Sequence, residues 1–356
     1  MKILSVVGAR PQFIKVKPID VAFRRRRIKH VMVHTGQHYD YRMSKVFFDQ
    51  LCIRHPDYNL AVGSGAHGAQ TACMLERLEK VLLKCKPDMV IVYGDTNSTL
   101  AGALAAAKLH VPVAHVEAGL RSFNRAMPEE INRVLTDHAA DLLFCPTKTA
   151  VDNLKKEGIT KGVYLSGDVM FDVFRESLPL LSKRTILSRL NLVSRSYFLL
   201  TVHRQENTAN IGNLKMILSA LASSKETVVF PVHPRTSKVL KQIKGLKSDE
   251  FADFRLIEPV SYLDMLVLEK NAKKIFTDSG GVQKEAFWLG VPCVTLRDET
   301  EWIETLMRGE NVLAGTDKKK IISAALSRSK NKLKFPVKPA YSSARRIVSC
   351  VFDFFK

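Results

Sequence analysis

The sequence predicts an α/β protein of two doubly wound units, each built on its own parallel sheet. Short β-branched apolar runs alternate with amphipathic stretches of helical period almost from end to end. Those runs are continuously apolar rather than alternating, as in strands covered by helices on both faces. The rhythm loosens once, between Gly167 and Ser196, and then restarts. A length of 356 residues suits two domains of ~150 residues each.

Taken in order, the first unit offers strands over 3–7, 31–35, 89–93, 111–116 and 142–145, with helical spacing over 72–83 and 98–109 among the segments between them. The run Arg24-Arg25-Arg26-Arg27, followed by Lys29, falls where the first helix should end, and a helix dipole favours cations there. The interruption carries two helical stretches with Lys183, Arg184, Arg189 and Arg195. Strands then return over 197–201, 227–232, 254–257, 274–277 and 291–296. The last stretch, 342–355, has helical spacing and is expected to cross back onto the first unit. The expected domains are residues 1–166 and 167–341, with the helix over 342–356 returning to the first.

Composition narrows the function. With 46% hydrophobic and 25% charged residues the chain can bury cores and is not of disordered type. No apolar run approaches the ~18–20 residues that cross a bilayer, so membrane insertion is not expected. The apolar run before Gly8-Ala9-Arg10 is too short for a signal-peptide core, and a cytoplasmic location is the expectation. An excess of 55 Lys+Arg over 35 Asp+Glu, a net charge of +20, favours anionic partners: nucleic acid, an anionic membrane surface or a phosphorylated small molecule. The basic run has no interleaved aromatics and reads as a solvated face, so nucleic acid is not the expected partner. Cysteines at 52, 73, 85, 145, 293 and 350 show neither C-x-x-C nor zinc-finger spacing and read as reduced core residues.

In open parallel sheets ligands bind beyond the carboxyl ends of the strands, so the residues after each apolar run matter most. Gly8-Ala9-Arg10-Pro11-Gln12 follows the first, with Pro11 suited to a first helical turn and Arg10 and Lys15 flanking an anion-binding helix N-terminus. The plain alternative is a βα turn with surface cations. Asp95, in Tyr93-Gly94-Asp95-Thr96, is either a helix cap or a catalytic carboxylate. Glu117 ends the next strand, where a charge is costly unless paired or used. Pro128-Glu129-Glu130 opens a helix, and one of these acids reads as an ordinary dipole partner. Carboxylates converging at Asp95, Glu117 and Glu129 suit proton abstraction and return. They could also hold a divalent metal, but the basic surroundings of Arg10, Lys15, Arg121 and Arg125 argue against it.

In the second unit, His203-Arg204 could face a phosphate, and His233 is similarly but more weakly placed. Asp278-Ser279-Gly280-Gly281 follows a strand and opens a helix whose N–H groups can cradle a diphosphate, with Glu285 placed to accept from ribose hydroxyls. The plain alternative is a glycine-rich turn with an N-cap serine.

Together these residues carry a resemblance. Gly8-x-Arg10-Pro11 with Lys15, Gly94-Asp95-Thr96, His115-Val116-Glu117-Ala118-Gly119, Pro128-Glu129-Glu130-x-Asn132-Arg133, His203-Arg204-x-Glu206-Asn207 and Asp278-Ser279-Gly280-Gly281-x-Gln283-x-Glu285 occur in the order found in the UDP-N-acetylglucosamine 2-epimerases. The chain resembles that family over essentially its whole length. The resemblance implies two Rossmann-like domains of GT-B type facing a central cleft, a UDP-sugar substrate, no added cofactor or metal, and a homodimer. It implies epimerisation between UDP-N-acetylglucosamine and UDP-N-acetylmannosamine by loss and re-addition of UDP through a 2-acetamidoglucal. By motif, Asp95, Glu117 and Glu129 match its acid/base carboxylates and His203 the histidine near the leaving diphosphate. Arg10, Lys15, Ser279, Gly280, Gly281 and Glu285 match its UDP-binding positions, and Arg133, Arg204 and His233 join them as candidate substrate contacts.

Two positions depart from the common pattern. Trp302, in Thr300-Glu301-Trp302-Ile303-Glu304, stands where arginine is usual, and Lys284 stands where glutamate is usual. Both variants resemble relatives acting on UDP-2,3-diacetamido-2,3-dideoxy-glucuronate, which is one alternative substrate. A hydrolysing member releasing N-acetylmannosamine is another alternative. Gln37-His38 is followed by Tyr39-Asp40, a departure from members that carry an activating substrate site, so such activation is not implied.

Overall fold

The computed structural model describes residues 1–37, 53–243, 249–307, 309–327 and 342–356. Cys52 and the His38-Tyr39-Asp40 stretch lie outside them. The apolar runs form strands. In chain order these are β1 (Lys2–Val7), β2 (Lys29–His34), β3 (Tyr58–Asn59), β4 (Met89–Tyr93), β5 (Val113–Val116), β6 (Leu142–Cys145) and β7 (Val163–Leu165). They make one parallel sheet of order β3-β2-β1-β4-β5-β6-β7. A second parallel sheet follows, β10-β9-β8-β11-β12-β13, from β8 (Tyr197–Thr201), β9 (Thr227–Pro231), β10 (Phe254–Ile257), β11 (Lys274–Thr277), β12 (Cys293–Thr295) and β13 (Asn311–Leu313). β3, β7 and β13 were not expected from the sequence. They are edge strands of two or three residues with partial exposure, too short for a continuous apolar run.

In each sheet the chain winds outward one way and then the other. The reversal falls between β1 and β4 in the first sheet and between β8 and β11 in the second. These switch points open a crevice beyond the strands' carboxyl ends, where open α/β sheets bind ligands.

Burial explains the layers. Leu4, Val6, Val90 and Val92 pack against Met74, Leu78, Ala101 and Ala105 of the covering helices His67–Cys85 and Asn97–Lys108. The second helix is alanine-rich, and at Gly102 an added Cβ would lie 2.9 Å from Val92, so small residues set how closely it approaches the sheet. In the second core, Phe198, Leu200, Phe230 and Phe276 pack on Leu214, Ile217 and Leu221 of the helix Ile211–Ala222.

The chain forms two compact units, Met1–Glu176 with Pro339–Lys356, and Ser177–Lys338. The helix Val169–Ser177 belongs almost wholly to the first, beyond the expected break at residue 166. Its Asp172 accepts hydrogen bonds from Ser342 Oγ (2.8 Å) and Ala344 N (2.9 Å), capping the helix Ser343–Asp353. That helix buries Ile347, Val348 and Val351 and packs on the first helix, Arg10–Arg25, whose end falls within the basic run. Cys145 and Cys293 are free and buried, and burial pushes the Cys145 thiol up to about 12. No helix among the described residues is long and apolar enough to cross a membrane.

Candidate active site

In the first unit the site grows from the ends of β1, β4 and β5. Gln12 is buried and locks the turn after β1. Its Oε1 accepts from Gly8 N (2.7 Å) and Ala9 N (2.9 Å), while Nε2 donates to the Tyr93 carbonyl (2.7 Å) and Thr99 Oγ1 (2.9 Å). The end of β4 is thereby tied to the start of the first helix. Arg10 opens that helix, and Lys15, one turn on, is buried and ion-paired with Glu117 Oε2.

Glu117 has φ +75°, a left-handed conformation that costs a residue with a Cβ about 1–3 kcal/mol. Neighbouring backbone holds it there. Glu117 N and Ala118 N both donate to the Phe144 carbonyl, at 3.0 and 3.2 Å, and Gly119 N donates to Asp137 Oδ2 at 3.1 Å. Asp137 is fully buried and also accepts from His115 Nδ1 and Arg121 Nη1, each at 2.7 Å. His115 Nε2 meets the Gly94 carbonyl at 2.7 Å, so the ring links Asp137 to the end of β4. Burial would raise the Asp137 carboxyl, but His115 and Arg121 hold it below the usual carboxylate range.

Gly94 has φ +67°, and a Cβ there would stand 2.9 Å from Lys15 Nζ and 3.2 Å from Glu117 Oε2. Gly94→Ala should therefore displace this ion pair and cut turnover at least tenfold, with a smaller effect on the unfolding midpoint. A variant of unchanged kcat would show that the pair's placement is immaterial.

Asp95, one residue on, is one-third exposed and accepts from Arg133 Nη2 at 2.8 Å. Arg133 is buried and also pairs with Glu130. Its guanidinium, a candidate substrate contact by motif, holds both Asp95 and Glu130. Glu130 is the structural member of the Glu129-Glu130 pair, accepting from Ser122 N and Phe123 N at 3.0 Å each. Glu129 is half-buried and makes no ion pair or hydrogen bond among the described residues. It lies one helical turn before Arg133, on the same helix face. The structure thus gathers Lys15, Glu117, Asp95 and Arg133 at adjoining strand ends, with Glu129 on the neighbouring helix.

In the second unit, β8 and β11 end side by side. Asp278 is buried and accepts from His203 N (3.0 Å), Arg204 N (3.0 Å) and Asn207 Nδ2 (3.1 Å), while His203 Nδ1 lies 3.2 Å from its Oδ1. Burial works against the Asp278 carboxylate, yet these bonds, His203 foremost, bring it below the usual range. His203 is 41% exposed, and its ring lies 5.7 Å from that of His233. Ser279 caps the helix Gly280–Leu289, and the Gly280 and Gly281 amides lie in its first turn, where intrahelical partners are lacking. Trp302 crosses this turn: a Cβ on Gly280 would sit 3.2 Å from its Nε1. The Lys284 ammonium stands 3.9 Å from the Trp302 ring centroid. Glu285, further along the helix, is buried.

Sequence reasoning missed Asp137, which fixes His115, and Asp278 as the group that orients His203. The signal for Asp278 was an acid at a buried strand end directly before Ser-Gly-Gly. For Asp137, inside a helix, there was none.

The family described as UDP-N-acetylglucosamine 2-epimerase matches residues 22–349. A Methanococcus maripaludis protein named as a homolog of UDP-N-acetylglucosamine 2-epimerase is 56% identical over 325 residues, covering 90% of this chain and 91% of its own. The UDP-2,3-diacetamido-2,3-dideoxy-D-glucuronate 2-epimerase of Pseudomonas aeruginosa is 50% identical over 330 residues, 91% of each chain. Among solved structures, the Methanocaldococcus jannaschii UDP-GlcNAc 2-epimerase in complex with UDP-GlcNAc and UDP matches with a TM-score of 0.92 and 47% identity, covering 99% of this chain and 100% of that one.

Proposed function

This chain belongs to the UDP-N-acetylglucosamine 2-epimerase family, and from that premise we propose that it interconverts UDP-N-acetylglucosamine and UDP-N-acetylmannosamine. One observation carries the reading: Asp95 and Glu117 stand at the ends of the neighbouring strands β4 and β5, each paired with a cation, Arg133 and Lys15.

The chemistry needs such an arrangement. The proton on C2 of the sugar is adjacent to no carbonyl and is a poor acid. It can leave only as the C1–O bond to UDP breaks, which gives the 2-acetamidoglucal. Glu117, held in a fixed orientation, is the group we assign to C2 proton transfer, with Asp95 and Glu129 returning a proton on the other face. The leaving diphosphate is taken by the Gly280 and Gly281 amides and by His203, whose ring Asp278 orients. Re-addition of UDP then completes the inversion.

Proton NMR of the protein with UDP-N-acetylglucosamine in deuterated water, without added metal, tests this. The expected product is UDP-N-acetylmannosamine carrying deuterium at C2. Free N-acetylmannosamine with UDP would instead identify a hydrolysing enzyme. A second reading, that the sugar is the diacetamido uronate, is supported by the 50% identity to the Pseudomonas enzyme together with Lys284 and Trp302 at the helix that receives the diphosphate. Turnover of that sugar with none of UDP-N-acetylglucosamine would select it.

A further inference from the structure

Glu269 lies in the helix Tyr262–Asn271 with no exposed surface, and none of the donors around it bonds either carboxyl oxygen. The group it faces is a second carboxyl, that of Glu285, on the helix Gly280–Leu289 packed alongside. Glu285 is itself 5% exposed, with Oε1 buried. Two ionised carboxylates cannot share such a space, so one keeps its proton. Burial decides which: Glu269, the more enclosed, is pushed well above the usual carboxyl range by burial first and by Glu285 second. Among the described residues, the other titratable groups facing it are the Tyr197 phenol from β8 and the Cys293 thiol from β12, both raised by burial, with the Tyr197 hydroxyl donating to the Leu268 carbonyl at 2.7 Å. In the segments Leu178–Lys183 and Ile186–Arg189, packed on the same helix, and the turn between them, Arg184 goes to Asp264 at 2.7 Å.

We propose that Glu269 is a positioning residue, a carboxylic acid that donates its hydrogen bond to Glu285 and so fixes the carboxylate that Glu285 presents to the ribose of the nucleoside diphosphate. The inference rests on the reading of Glu285 as the ribose contact. Its consequence is a pH dependence with a definite sign. Below the ionisation of Glu269 the pair is an acid donating to a carboxylate. Above it, two negative charges repel, Glu285 is displaced and nucleotide affinity falls.

The experiment is UDP titration by calorimetry, with kcat and KM measured alongside, on the full chain from neutral to alkaline pH. Wild type should lose UDP affinity toward the alkaline end. Glu269→Gln keeps a donor that cannot ionise, and should bind UDP as wild type does at neutral pH with the alkaline loss removed. Glu269→Leu should bind UDP about tenfold more weakly than wild type does at neutral pH, the scale of a hydrogen bond to a charged group, with no alkaline loss of its own and with KM moving more than kcat. An alkaline loss that persists in Glu269→Gln overturns the proposal, and this arm needs only the near-isosteric variant to fold. Glu285→Ala separates the premises. If it leaves UDP affinity unchanged, the ribose reading of Glu285 is overturned and the proposal with it. If it weakens UDP while Glu269→Leu does not, the positioning role alone is overturned.

Discussion

Glu117→Gln should lower epimerisation by about 10³-fold while UDP binding stays close to wild type. The size of the effect follows from the role assigned. A positioned acid or base contributes 10²- to 10⁴-fold, and an amide of the same shape can neither take nor return a proton at C2. The conformation should survive, because the left-handed backbone at this position is held by bonds from the Glu117 and Ala118 amides to the Phe144 carbonyl rather than by the side chain. Lys15 loses its carboxylate partner but still faces an amide oxygen. The decisive measurement is exchange of the C2 proton with deuterated solvent, run beside UDP titration. Exchange at the wild-type rate would remove Glu117 from the proton path, whatever happened to product formation. A glycosyltransferase using the same nucleotide site would show no such exchange in the parent protein either.

Much of this site was legible because buried parallel strands advertise themselves. A continuous apolar run followed by Gly-Asp, Glu-Ala-Gly or Asp-Ser-Gly-Gly marks a carboxyl strand end, and the polar residues there have a restricted set of uses. The edge strands β3, β7 and β13 were not legible, since their short, half-exposed segments leave no periodic trace. Nor were the pairings. Lys15 reaches Glu117, and Arg133 reaches Asp95, only because the sheet order places β1, β4 and β5 side by side. Arg133 is a candidate substrate contact by its motif alone, and its burial between two carboxylates is visible only in the fold. Asp137 and Glu269 show the same limit from the opposite side. Each sits in a helix where an acid ordinarily meets solvent, and only packing reveals that one accepts from His115, Arg121 and a backbone amide while the other is enclosed against a second carboxyl.

Asp137→Ala should destabilise the protein by about 3–5 kcal/mol, the range for removing one partner of a buried charged network. The loss exceeds a single bond because Asp137 serves three donors, His115, Arg121 and the Gly119 amide, and its removal takes an acceptor from each of them at a buried site. Arg121 keeps its contacts with Glu157, at 2.7 Å, whereas His115 loses its anchor on that side. The His115 ring also holds the Gly94 carbonyl, so the end of β4 should loosen and turnover should fall along with the denaturation midpoint. The pH dependence supplies a sharper test than the magnitude. The Asp137 carboxyl lies below its unfolded value of about 3.9, so its stabilisation is fully present above that value and disappears as pH falls through the lower folded value. The gap in stability between wild type and Asp137→Ala should therefore be constant near neutrality and close on acidification below about pH 4. A gap that persists unchanged in acid would mean that the residue acts through shape rather than charge, and the electrostatic account of how β4 and β5 are held at the site would have to be abandoned.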